Sequence, residues 1–544
     1  MTAAYRPPCD EGVIQSGPAD APCDRHTGRW VLAATILGTS MAFIDGTVVN
    51  VALPELQRDL KATAADVQWV VEAYTLLLAA LLLVGGSLGD RWGRRRIFGA
   101  GIVIFALASI ACGVAPGPRT LIAARAVQGI GAAMLVPGSL AIISASFPEA
   151  QRGRAIGTWS GFSAITTALG PVLGGYLIEQ VSWRAVFFLN VPLAAIVLLI
   201  LFSRVPESRT EGATGPLDWW GALLVTLGLG AVVYGLIEAG GRGLAEPLAL
   251  GALIAGSLAL AAFVVVEARS PAPMVPLSLF RSSTFSGANL LTFLLYAALG
   301  GTMFFVPFNL IQVQGYSPTA AGAAFLPLIV LMFMLSRWSG GLVQRYGAKR
   351  PLVIGPLIAA AGFALYALPG IGGDYWTTFF PAMVVQGLGM AVSVAPLTTA
   401  VMGAVSSSHS GTASGINNAV SRVAGLLAIA LFGIVLIGAF GSNLERRLDT
   451  LNLTPQTRQA LSAQRNRLAA AEVPTEVSGE TRAAVQQAIA ESFVAGFRLV
   501  VLVAASLAVA GATSAALMIQ PRGSGSREQG LAPLLRPVDE AEEF

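Results

Sequence analysis

Four ionisable side chains stand inside otherwise apolar runs of this chain: Asp45, Glu72, Arg125 and Arg422. A carboxyl shielded from water beside a guanidinium is suited to carrying a proton. Desolvation favours the neutral acid, the cation favours the carboxylate, and intermittent access to water switches between them. Asp45 is the strongest candidate for that role, because it lies in mid-run among apolar neighbours. Glu72 lies closer to the end of its run, where a long side chain also reaches the interface. Arg125 needs a partner at its depth, and Arg422 has no acidic residue in its own or an adjacent turn. For Arg422 the spacing points to a central cavity and an anionic or carbonyl-bearing group.

The elements that must position these residues are membrane helices. Hydrophobic residues make up 54% of the 544 and charged residues only 12%, against about 25% charged in soluble proteins. Apolar stretches of roughly 20 residues, enough to cross ~30 Å of hydrocarbon, recur fourteen times between Trp30 and Ile519. At ~1.5 Å per residue, Asp45 lies ~22 Å along the first span, and Glu72 and Arg125 each lie ~7 Å past the start of theirs. If spans 1, 2 and 4 are neighbours, two carboxylates and one guanidinium share a layer. A charge at mid-bilayer costs at least ~2.5–3.5 kcal/mol, so such residues are functional candidates by default.

The net charge of +4 does not indicate a nucleic-acid partner, because the basic residues sit in short loops between spans. One set of loops holds the run Arg91, Arg94, Arg95 and Arg96, whereas the opposite short loops hold only Arg58, Lys61, Arg119, Arg184 and Arg242. The positive-inside rule then places both termini in the cytoplasm. The first span is as long as those that follow and has a polar tail before it, unlike a cleaved export signal. Cys9, Cys23 and Cys112 read as unpaired thiols.

The chain also repeats itself. Gly85 to Arg96 matches Ser339 to Arg350 at an offset of 254, with Gln344 standing where the first copy has Asp90; Gln128-Gly129 and Gln386-Gly387 recur at an offset of 258, as do Gly153, Ala155 and Gly157 with Gly411, Ala413 and Gly415. These matches predict an all-α integral membrane protein of two six-helix bundles plus two inserted helices. The expected organisation is a cytoplasmic tail (1–29), a first bundle (30–204), an inserted hairpin (217–267), a cytoplasmic linker (268–284), a second bundle (285–519) and a cytoplasmic tail (520–544). Parallel repeats of this kind belong to transporters that rock one half against the other. The hairpin has no counterpart in the repeat and is expected to pad the side of the bundle. The long outer segment 441–491 carries a helix start at Thr454-Pro455 and reads as a solvated helical hairpin, with a lid over the exit as the second reading.

Other function classes fit poorly. There is no phosphate-cradling Gly-x-x-x-x-Gly-Lys-Ser/Thr loop for an ATP-driven pump. His26 and His409 are the only histidines and form no catalytic or metal-binding pattern, so neither an enzyme nor a metal site is expected, and neither tail is long enough for an added signalling domain.

These residues resemble the fourteen-span drug:proton antiporters of the major facilitator superfamily over nearly the whole chain. The loop signature stands as Gly86, Leu88, Asp90, Arg91, Gly93, Arg94 and Arg95; the span 1 motif runs from Asp45 to Pro54; Arg125-Ala-Val-Gln-Gly lies in span 4; and span 5 carries Gly157, Gly170, Pro171, Gly174 and Gly175, with Thr166 replacing one expected glycine. The resemblance implies a major facilitator fold and proton-driven export of lipophilic compounds across the cytoplasmic membrane, with a dedicated exporter of one natural product as the alternative. It further implies a gate in which Asp90 faces the start of a helix from the other half, with span 13 as the candidate. A hinge at Pro171 is implied as well. Membrane lipids, protons and a small substrate are the expected partners, with no cofactor, no nucleic acid and a monomeric protein.

Overall fold

The computed structural model describes residues 25–209, 218–271, 273–405, 410–451, 453–474, 477 and 479–520. Cys9, Cys23, His409 and most of both tails lie outside the described residues, as do the side chains of His26 and Gln344. Among the described residues the chain is helical throughout. The first bundle comprises α1 (Arg25–Asp59), α2 (Ala64–Trp92), α3 (Arg94–Gly113), α4 (Pro118–Ser146), α5 (Glu149–Gln180), the single turn α6 (Ala185–Phe188) and α7 (Asn190–Arg204). The inserted pair is α8 (Trp219–Arg242) and α9 (Pro247–Arg269). The second bundle comprises α10 (Ser283–Phe308), the single turn α11 (Pro318–Ala323), α12 (Leu326–Tyr346), α13 (Lys349–Leu365), α14 (Phe379–Gly403), α15 (Ser410–Leu448) and α17 (Gly479–Met518), with α16 (Pro455–Ala463) in the loop before the last helix.

Thirteen of the described spans are long and apolar enough to cross a membrane. The fourteenth of the sequence reading is α13, a 17-residue helix that packs against α14 and α17. Local signals account for many helix ends. Thr63 caps α2 and receives Asp66 N–H at 3.1 Å, while Asp66 Oδ2 accepts Thr63 N–H at 2.9 Å, a reciprocal box that satisfies two otherwise orphaned donors. Ser317 caps α11 just before Pro318, and Thr454 caps α16 just before Pro455, as its sequence predicts.

Two boundaries differ from the hydropathy reading. Helix α15 continues to Leu448 and α17 starts at Gly479, so the expected long loop shortens to 449–478. Hydropathy falls where a helix leaves the hydrocarbon, but backbone hydrogen bonding does not stop there. The span expected from Ala320 is broken at Ala324 and Phe325 into α11 and α12.

Two ends of the molecule can be named from their residues: a basic face carrying Arg91, Arg94, Arg95 and Arg96, and a loop face carrying 449–478. The bundles meet along α5 with α11, α2 with α15, and α1 with α10. At the loop face Gln57 donates to Arg467 O at 3.3 Å and accepts from Gln312 at 3.0 Å, and Thr319 N–H reaches Glu179 at 3.3 Å. Leu468, 3% exposed, sits in this seam with Val67, Gln68, Phe304, Phe308 and Ile437. Its backbone is held at φ 54°, ψ −130°, a conformation that costs a non-glycine residue of order 1–3 kcal/mol and persists only where packing imposes it.

The inserted hairpin does more than pad one side. Helix α9 shows exposed Leu250, Ile254, Leu258, Val264 and Val265, an apolar face with no protein partner. Helix α8 instead packs on both α2 and α15, so it covers the seam between the bundles. Its Leu229, Val233 and Ile237 form one core with Leu76, Leu426 and Ala430.

Candidate functional site: a buried ion pair behind a cavity

Helices α2, α3 and α4 approach closely because glycines leave no side chain between them. A Cβ on Gly129 would collide with Tyr74 O, and one on Gly131 would lie 2.7 Å from Phe105 N. Such close approach is typical of small residues in membrane helices. It brings Arg125 of α4 against α1 and α2 at the centre of the first bundle.

Arg125 is 1% exposed, and its guanidinium is engaged through Nε and Nη1. Nε donates to Val70 O at 2.9 Å, and Nη1 donates to Gln128 Oε1 at 2.7 Å and, at very short range, to Asp45 Oδ2. Its plane lies over the Tyr74 ring, 4.3 Å from the centroid, with Phe187 at 5.9 Å. Asp45 Oδ1 accepts from Gln128 Nε2 at 2.8 Å and from Asn190 Nδ2 at 3.4 Å, and Ser109 Oγ accepts from the same two amides at 2.9 and 3.3 Å. A carboxylate held by a cation and two amides is compensated for burial. All three partners donate to Asp45, so a proton on the carboxyl would displace at least one of them.

The other predicted residues fall elsewhere. Glu72 is fully buried on α2, and neither oxygen has a hydrogen-bond partner among the described residues. It is not bonded to Asp45 or Arg125, despite the matching depth. Helical spacing places it between Gln68, which donates to Ile429 O of α15 at 3.1 Å, and Leu76, which packs with α8. It therefore faces the seam of α2, α8 and α15. Depth along a span is set by sequence, but facing direction depends on which neighbours the helix acquires.

Arg422 projects from α15 into a cavity of about 210 Å³ lined also by Phe43, Thr47, Asn50, Tyr74, Thr75 and Arg125. Its one hydrogen bond among the described residues runs from Nε to Asn418 Oδ1 at 3.0 Å. The cavity wall is otherwise contributed by the first bundle.

At the basic face, Gly93 has φ 102° and joins α2 to α3. The positive φ favours glycine for the turn, and a Cβ there would lie 2.7 Å from Glu207 Cδ, so a side chain would also displace the Glu207 carboxylate. Glu207 accepts the backbone N–H groups of Arg95 and Arg96 at 2.9 and 3.2 Å and pairs with both guanidinium groups at 3.8 and 3.6 Å. Asp90 accepts from Arg94 at 2.8 and 3.0 Å, and Gly86 lies beside Pro137. Arg91 occupies the last turn of α2.

The glycines of α5 divide by partner. A side chain on Gly170 would collide with Thr47, and one on Gly174 would lie 2.9 Å from Val48, so both seat α5 on α1. Gly175 is pressed against Pro318 O, and Pro171 O against Gly322, so this end of α5 meets α11 of the other bundle. Gly157, near the opposite end, has open space.

Sequence reasoning missed Ser109, Asn190 and Glu207, and took Gln128 as a repeat marker and a member of the span 4 motif without a role of its own. Ser109 and Asn190 are isolated polar residues in apolar spans, which was the available signal; nothing local marks Glu207.

Comparison with known proteins agrees with this architecture. Residues 35–429 match the Major Facilitator Superfamily. The chain is 33% identical over 505 residues to the tetracenomycin C resistance and export protein of Streptomyces glaucescens, covering 92% of this chain and 94% of that one. It is 36% identical over 443 residues to the multidrug resistance protein Stp of Mycobacterium tuberculosis (strain CDC 1551 / Oshkosh), covering 80% and 81%. Among solved structures, a bacterial homolog of the human lysosomal transporter Spinster superposes with a TM-score of 0.64 at 19% identity, covering 90% of this chain and 98% of that one. This protein therefore belongs to the major facilitator superfamily and is a multi-pass membrane transporter related to its drug- and antibiotic-resistance exporters.

Proposed function

We propose that the protein exports lipophilic small molecules across the cytoplasmic membrane in exchange for protons, with the basic face towards the cytoplasm and Asp45 as the proton carrier. The observation that carries this reading is the buried Asp45–Arg125 pair directly behind the cavity wall. Arg125 and Tyr74 belong both to the ion-pair cluster and to the cavity lining, so a ligand in the cavity and a proton on Asp45 compete for the position of the same guanidinium. The bundles are joined at the loop face, so this geometry supports a cytoplasm-facing state.

The cycle follows from that coupling. With Asp45 ionised, Arg125 is held against it and leaves the cavity open to substrate, and the rocking of the bundles then exposes the loaded site to the other side. Protonation of Asp45 from outside releases Arg125 into the space the substrate fills, which expels the substrate, and loss of that proton to the cytoplasm after the return restores the pair.

A second reading, export of one natural product rather than many drugs, is favoured by the similar Streptomyces glaucescens protein, which is named for a single compound.

The test is substrate-driven proton movement in everted membrane vesicles. Wild-type protein should alkalinise the lumen as substrate enters it, and Asp45→Asn should abolish that movement while retaining substrate binding. Undiminished, pH-independent active export by Asp45→Asn would reject the coupling role.

A further inference from the structure

The cavity is electrostatically one-sided. Its charged lining residues are Arg125 and Arg422, with no Asp or Glu among them. Arg125 is neutralised from behind by Asp45, whose oxygens are already taken by Arg125, Gln128 and Asn190. Glu72 faces a different seam. The hydroxyls of Thr47, Thr75 and Thr167 are committed to backbone carbonyls of their own helices. What remains is Arg422, which has no carboxylate within ion-pair distance among the described residues and spends only Nε on Asn418. Its terminal N–H groups make no hydrogen bond among the described residues, and unlike Arg125 it has no carboxylate to offset its charge. A guanidinium presents a planar fork suited to carboxylate oxygens, and the Phe43 and Tyr74 rings supply an apolar wall beside it.

We infer that Arg422 is the anchor for an acidic oxygen of the substrate, so that the transported class is an aromatic lipophile bearing a carboxylate or acidic phenol rather than a lipophilic cation. The inference rests on the export reading for its biological meaning, but not for its test. Arg422 is the second bundle's contribution to this cavity, so an anion held there bridges the two bundles and feels their relative motion. Cations are disfavoured because they would meet an unpaired positive charge with no acidic side chain in reach.

The experiment measures binding to purified wild-type, Arg422→Gln and Arg422→Lys protein in detergent, with a carboxylated hydroxyanthraquinone dye and with ethidium as probes. Tightening of the anionic dye by the wild-type protein, weakened about tenfold or more by Arg422→Gln and much less by Arg422→Lys, is the expected result. Ethidium binding should be weaker than that of the anionic dye in the wild type and unchanged or improved in Arg422→Gln. Preference of the wild type for ethidium, equal loss of both dyes in Arg422→Gln, or no change in either overturns the assignment. The thermal unfolding profile of each variant separates a lost contact from a misfolded protein. Because binding is read without a gradient, its outcome stands apart from the Asp45→Asn flux measurement: failure of coupling leaves this inference intact, and the reverse also holds.

Discussion

Asp45 has little acceptor capacity to spare once Arg125, Gln128 and Asn190 have donated to it, and that saturation makes the pair sensitive to truncation. Breaking a buried ion pair by removing one partner typically costs ~3–5 kcal/mol, whereas replacing both with apolar residues costs far less. Asp45→Leu and Arg125→Met should therefore each lower the unfolding temperature strongly, and the double variant should recover most of the loss; a double variant no better than the singles would contradict the pairing. Glu72 makes the opposite case. With no partner among the described residues, it leaves nothing stranded when removed, so Glu72→Leu should unfold at or above the wild-type temperature. A drop as large as that of Asp45→Leu would show that Glu72 is bonded in the folded protein.

The helices act through two kinds of junction. At the basic face Glu207 receives the first N–H groups of α3, where a carboxylate also complements the helix dipole. Loss of a cap costs ~0.5–2 kcal/mol, and Glu207→Ala should show that destabilisation with slower or faster transport but unchanged substrate preference, measured by thermal unfolding and by competition between dyes. At the loop face Gly175 and Gly322 let α5 and α11 touch backbone to backbone. Overpacking a tight contact costs ~1–3 kcal/mol, here charged only to the state in which the loop face is shut. Gly175→Val is expected to reach the membrane in normal amount yet lose most export, with a cysteine introduced at Glu179 becoming more reactive to an impermeant thiol reagent. Unaltered reactivity would mean that the contact does not close the seam.

At the scale of the whole molecule, two segments that lie outside the internal repeat converge on the same seam. Helix α8 covers it along α2 and α15, and Leu468 of the 449–478 loop plugs its loop-face end. If packing of the closed bundles is what holds the strained backbone of Leu468, the loop biases the conformational equilibrium. Leu468→Asp should raise thiol labelling at a cysteine placed at Gln312 in the absence of substrate, by destabilising the closed loop face; labelling equal to wild type would assign the loop a purely structural role.

The periodic apolar spans, the internal repeat and the loop signature were legible in the primary structure because membrane crossing, backbone turning at Gly93 and helix capping at Thr454 are local requirements that few residue types meet. Asp45, Arg125 and Arg422 were legible for a related reason: a charge in a long apolar run has no local explanation. What each charge faces is not a local property. Asp45 and Glu72 occur at similar depth in successive helices, yet one enters a saturated polar cluster and the other an apolar seam. Rotation of a helix is set by the glycine contacts and partner helices it meets on packing. The same holds for Ser109, Asn190 and Glu207, whose importance arises from residues 81 to 145 and 111 to 112 positions distant. Chain chemistry alone determined that the protein crosses the membrane as two related bundles carrying buried charge; only tertiary packing decided that Asp45 and Arg125 are mated and Arg422 is left free towards the cavity, because pairing depends on which surfaces close against each other.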